Sequence, residues 1–189
     1  GAVERLDETA MALVFPIPGD GGSGRGHRVP DPVTGETRLG RFGWKAGTTS
    51  VLHQTADALN GDMGVMTSMF PDPDCGDEQL DCGNDAGAEL GDADLDDLVR
   101  YVSLLGIRAR RDLDAPEALE GDVLFEALGC GDCHRSTYET SAFHPHAELR
   151  GQTIHPYTDL LLHDMGDDLA DSLGDGDASG SEWRTPPLW

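Results

Sequence analysis

The sequence predicts a mainly α protein with long loops. Apolar residues recur at helical spacing in four separate stretches. Between them lie runs crowded with glycine (25 in the chain) and proline (11), and aromatic residues make up only 6%. At 189 residues the chain is long enough for one large or two small domains with real cores.

Residues 1–40 hold one short apolar run, from Met11 to Phe15, stopped by Pro16 and Pro18. The glycine-rich run at 19–26 reads as a flexible turn. Calcium is a weaker reading there, since Asp20 and Ser23 are too few oxygen ligands. Asp31-Pro32 and Thr34-Gly35 mark further turns. A helix is expected to begin near Thr48 or Thr49, burying Val51, Leu52, Thr55, Ala58 and Leu59, and to end at Asn60-Gly61. By composition Trp44 reads as a core residue, and Asp62, just past that helix, as a solvated turn residue.

Residues 71–94 form an acidic loop rich in proline and glycine. Cys75 and Cys82 flank part of it without histidine neighbours, so a disulfide is expected there rather than a metal site. Leu95, Leu98, Val99, Val102 and Leu105 make a second amphipathic helix, capped by Asp92 or Asp94. Arg108, Arg110 and Arg111 follow as an interdomain linker. Asp114 can cap a third helix and Pro116 can open it. Leu119, Val123, Leu124 and Leu128 form its apolar stripe, and Gly121 allows close approach of another helix. A fourth helix is expected over residues 157–165, opened by Pro156, with the Leu160-Leu161-Leu162 run buried on several sides.

Acidic residues outnumber basic ones by 36 to 13, for a net charge of −23. Such a surface repels nucleic acid and anionic membranes, and suits a basic redox partner or a salty medium. No stretch approaches the length of an apolar membrane span.

The third helix runs into Cys130-Gly131-Asp132-Cys133-His134. C-x-x-C-H is the attachment signature of c-type haem: two thiols form thioethers to the haem vinyl groups and the adjacent histidine ligates iron. The alternative is a zinc or disulfide module, in which His144, His146, His155 or His163 would complete a zinc site. With haem in place, Phe125 can cover the haem edge. His163 or Met165 could supply the sixth iron ligand, and the arginines at 108–111 could reach haem propionates. Covalent haem attachment and the extra cysteines imply a periplasmic or secreted protein.

The segment G-x-x-x-F before C-x-x-C-H resembles the first helix of a cytochrome c domain. LGRFGWKA, QTADALNGDMG, ARRDLDAPEALEGDVLFEALGCGDCH, PYTDLLLHDMGDDLAD and EWRTPPLW together resemble the bacterial di-haem oxidoreductases of peroxidase or thiol-oxidoreductase type. The resemblance implies a cytochrome c-like haem domain at 113–189, cut short at its C-terminus. Residues 1–112 would be part of the first haem domain and its peroxide site. It further implies Trp44 as an electron bridge between haems, Gln54 as a polar pocket residue, Asp62 as the acid, and Arg184 as a partner for a propionate. Asp62-Met63-Gly64 departs from the family's E-M-G by a shorter acid.

Relatives carry a second C-x-x-C-H upstream, and this chain has one, so it reads as an internal portion of a larger protein. The expected function is electron transfer from the haem at His134 toward a second haem, with peroxide or an electron-donor protein as partner. A mono-haem electron carrier without an open site is the competing reading.

Overall fold

The structure is a computed structural model that describes residues 24–76, 79, 87–106 and 109–188. The apolar run at 11–15, the Asp20/Ser23 turn, Cys82 and Arg108 lie outside the described residues. Three α-helices and six short strands, paired two by two, make up the described regular structure.

The expectation of a mainly α chain is therefore overturned. The largest correction falls on residues 157–165. Tyr157 and Leu160 adopt left-handed backbone, with φ of 51° and 61°, which an α-helix cannot contain. Leu162–Asp164 instead forms strand β5, antiparallel to β6 at Glu182–Arg184. A bridge from Arg25 to Leu162 extends this ladder on its other side. The leucine run is buried because it is the centre of this non-local pairing. Three successive leucines flanked by proline and glycine fit a buried strand as well as a helix.

Strands β1 (Arg28–Pro30) and β2 (Thr37–Leu39) form a hairpin. The Asp31 carboxylate closes its turn by accepting the main-chain N–H groups of Val33 and Thr34. Asp31 also accepts the Thr49 hydroxyl at 2.7 Å, which ties the hairpin to the start of the first helix. After Gly40 the chain doubles back, and Phe42 bridges to Thr48. A Cβ on Gly40 would lie 1.7 Å from the Ala46 carbonyl oxygen, so only glycine fits there. Trp44 sits at the tip of this loop, 77% exposed rather than in the core.

Helix α1 spans Val51–Met63. Ser50 caps it by accepting the His53 N–H, and Gly64 ends it in left-handed backbone. The helix thus starts slightly later than expected and continues past Asn60-Gly61, so that Asp62 lies in its last turn. Its buried residues are Val51, His53 and Ala56. Helix α2, Asp92–Leu104, packs on α1. Its cap is Gly91 without a side-chain bond, and Asp92 and Asp94 instead face the helix's positive N-terminus.

Helix α3, Pro116–Ala127, has Pro116 in its first turn, and Ala115 rather than Asp114 at its cap. The residues expected to form a buried stripe do not: Leu119, Val123 and Leu124, with Leu128 at the C-cap, are all exposed. A Cβ on Gly121 would meet nothing within 4 Å, so no helix among the described residues crosses it there. The segment expected as loop after the motif contains a further pair, β3 (Tyr138–Glu139) with β4 (Thr153–Ile154). No helix among the described residues is long and apolar enough to cross a membrane.

Candidate haem site

Gly129, at φ 75°, stops α3 and turns the chain into a single 3-10 turn at Cys130–Asp132. The His134 N–H returns to the Cys130 carbonyl at 2.9 Å. Both thiols and the imidazole are thereby gathered on one turn, and both cysteines are free thiols. Burial, with Asp159 and Asp132 nearby, raises the Cys133 thiol pKa above its ordinary value.

The orientation of His134 is fixed from outside the motif. Its Nδ1 lies 2.7 Å from the Tyr157 carbonyl oxygen. A carbonyl can only accept, so Nδ1 carries the proton and Nε2 keeps its lone pair for a ligand role. The left-handed φ of Tyr157 belongs to the same turn. The Tyr157 ring then meets Phe125 edge-on at 5.4 Å, and Phe125 in turn lies 6.5 Å from the His134 ring. Phe125 therefore buttresses the histidine and does not line the cavity described next.

That cavity, of about 560 Å³, is bounded by Cys130, Cys133, His134, Met165, Trp183 and Pro186, together with Trp44, His163 and Arg184. Its walls are predominantly apolar, and its size is that of a small-molecule or cofactor site. Seven of the residues singled out from the sequence thus converge here, both sixth-ligand candidates among them. His163 is buried, its Nε2 is 2.7 Å from the Asp159 carboxylate, and its Nδ1 is 3.7 Å from the Cys133 sulfur. Both ring nitrogens are engaged. Gly24 closes on the same ring, where a Cβ would sit 2.7 Å from it. Met165 is half exposed and also lines the cavity.

A second cleft, of about 590 Å³, contains Gln54 and Asp62, again with Trp44 and Arg184. Gln54, Asp57, Ala58, Gly61 and Asp62 reach it from one face of α1, as helical spacing dictates. The Thr48 hydroxyl donates to Gln54 Oε1 at 2.9 Å and orients the amide. Asp57, which sequence reasoning passed over, also lines this cleft. Burial raises its pKa above the usual carboxylate range, with the neighbouring Asp175, Asp62 and Asp74 adding to the effect against His53. Burial likewise lowers the Arg184 pKa. Arg110 stacks over the Tyr157 ring at 5.4 Å.

The other histidines are occupied elsewhere. His144 accepts the His146 N–H, and His155 lies 3.1 Å from the Thr137 hydroxyl. Among the described residues, no group of three or more His, Cys, Asp or Glu is arranged to hold a metal ion. Sequence reasoning missed the Tyr157 carbonyl, the His163–Asp159 pair and Thr48. None has a local signature, because each acts through a contact that the fold creates.

A C-x-x-C-H turn whose histidine holds its Nε2 lone pair ready beside an apolar cavity is suited to bind haem. This places the protein among the haem-binding oxidoreductases. Residues 25–189 match the family described as "Di-haem oxidoreductase, putative peroxidase", and the chain belongs to that family. No curated protein and no solved structure gives a significant match.

Proposed function

We propose that this chain is the c-type haem, electron-relaying part of a two-haem peroxidase-type oxidoreductase. Cys130 and Cys133 would hold the haem covalently, His134 would ligate its iron through Nε2, and Met165 is the better-placed sixth ligand. The observation that carries this reading is the His134 Nδ1 bond to the Tyr157 carbonyl, which selects the tautomer a haem ligand needs. Bound there, haem would supply one-electron redox chemistry.

The remaining steps belong to the chain's own residues. Trp44, on the wall common to both clefts, would be the bridge for electrons leaving the haem cavity. Arg184, on the same wall, can meet a propionate. Gln54 would orient a peroxide, and Asp62 would carry its proton from the proximal to the distal oxygen. Electrons would come from a donor protein or a small redox substrate, in the periplasm or outside the cell.

A second reading, a mono-haem electron carrier, draws on Met165: its thioether, as a second protein ligand beside His134, would leave no open coordination position. Intact mass and the electronic spectrum test both. Covalent haem adds a fixed mass, and His134→Ala should abolish the low-spin spectrum. An unchanged spectrum in His134→Ala would overturn the assignment. A full-length protein whose haems all resist peroxide would leave the carrier reading.

A further inference from the structure

Two of the three tryptophans, Trp44 and Trp183, stand on the wall of the haem cavity, and their electrostatic surroundings differ. The Lys45 ammonium lies 3.8 Å from the centre of the Trp183 ring. That ammonium is held rigidly. It donates to the carbonyls of Ser179, Gly180 and Glu182 at 3.0, 3.2 and 3.0 Å. Asp171 approaches it at 3.4 Å, and Lys45 as a whole is only 6% exposed. Its main chain is fixed as well, because His27 Nδ1 bonds the Lys45 carbonyl at 2.7 Å.

A cation over an aromatic face stabilises the neutral ring through the ring quadrupole. Removing an electron from that ring sets two positive charges face to face, and the Lys45 ammonium is itself buried. Asp171 offsets part of this field. The Trp183 indole N–H donates to the Leu169 carbonyl at 2.9 Å, and an amide oxygen does not take the proton that an oxidised indole must shed. Trp44, next to Lys45 in sequence, is 77% exposed, so water screens charge on its ring and can accept its proton.

We propose that Lys45 decides which tryptophan at the haem cavity yields an electron: it holds Trp183 reduced and leaves Trp44 as the oxidisable ring. Lys45 is thus a positioning residue that acts through Trp183. The proposal deepens the reading of Trp44 as the bridge and rests on it for its biological meaning, although the chemistry can be measured separately. In that chemistry, tryptophan gives two electrons to two equivalents of a one-electron oxidant. Water supplies the oxygen of the hydroxylated ring, and two protons are released.

The haem-loaded full chain is treated with hexachloroiridate(IV), and peptide mass spectrometry compares hydroxylation at Trp44 and Trp183. Product at Trp44 should exceed that at Trp183, and Lys45→Met should shift the ratio toward Trp183 by roughly tenfold. Lys45→Arg, which keeps the charge, should restore the original ratio. Asp171→Asn, which removes the offsetting charge, should move the ratio the other way. An unchanged ratio in Lys45→Met and Asp171→Asn overturns the proposal. So does an equal shift in Lys45→Met and Lys45→Arg, because that marks a purely structural role. Failure of the bridge reading shows elsewhere, as a Trp44→Phe protein that transfers electrons at the normal rate.

Discussion

Arg184 donates its main-chain N–H to the carbonyl of Trp44 at 2.9 Å, and its Nε to the carbonyl of Gly43 at 2.8 Å. These bonds join the last described strand to the tip of the Phe42–Thr48 loop. They make one wall serve two clefts, with the haem motif on one side and Gln54 with Asp62 on the other. A residue at that wall can influence both sides, which is why the predictions below separate them.

The sixth ligand is tested on the haem side. Met165→Ala should remove the spectral signature of thioether ligation while leaving covalent haem content unchanged. His163→Ala should retain that signature and lower stability by about 1–3 kcal/mol, since it strands the buried Asp159 carboxylate. The reverse pattern would make His163 the ligand.

Asp62 is tested on the other side, in the full-length two-haem protein. Asp62→Asn should slow the reaction with peroxide by roughly 10²–10⁴-fold, the usual contribution of a positioned proton carrier. Haem content and reduction potential should stay the same. A rate within about a factor of two of the parent would return Asp62 to an ordinary helix-end residue, and would turn attention to Asp57.

Acid stability should depend on the Arg25–Glu182 pair. The hydrogen bond from Arg25 holds the Glu182 carboxyl at a pKa of about 2, against an ordinary value of 4.5. The folded-state value is depressed, so the stabilisation is fully present above pH 4.5 and is lost as pH falls toward 2. Glu182→Gln should therefore cost stability at neutral pH and flatten the decline of Tm across that acid window. A parallel decline in both proteins would remove the pair from the account.

Cys75 and Cys82 should resist alkylation until a reductant is added. Breaking the expected bridge should cost roughly 2.5 kcal/mol, the chain-entropy figure for so short a loop. Quantitative labelling of both thiols without reductant would exclude the pairing.

The local features of this protein were legible in its sequence. Pro116, the C-x-x-C-H turn and the Val51 helix each carry their signal within a few neighbouring residues, and each forms close to where that signal lies. Trp44, Arg184, Gln54 and Asp62 line the clefts described above, and Phe125 stands beside His134. What the sequence withheld is set by distant partners. Leu162–Asp164 is extended because residues 182–184 and Arg25 are available to pair with it. Lys45 meets Trp183 through carbonyls more than 130 residues away in the chain. The apolar residues of α3 also show the limit of local signals, because their spacing does not say whether anything covers them.

The Arg184–Gly43 contact joins residues 141 apart in the chain, and it ties a residue of the cavity wall to the loop that carries Trp44. Synthesis delivers the chain N-terminus first, so Cys130, Cys133 and His134 emerge before Arg184, which lines the cavity with them. On the proposed reading, a haem-attaching enzyme would meet the motif as an accessible peptide during that interval. Attachment before closure would make the haem a nucleus on which the late strand condenses, so maturation order would be built into the topology.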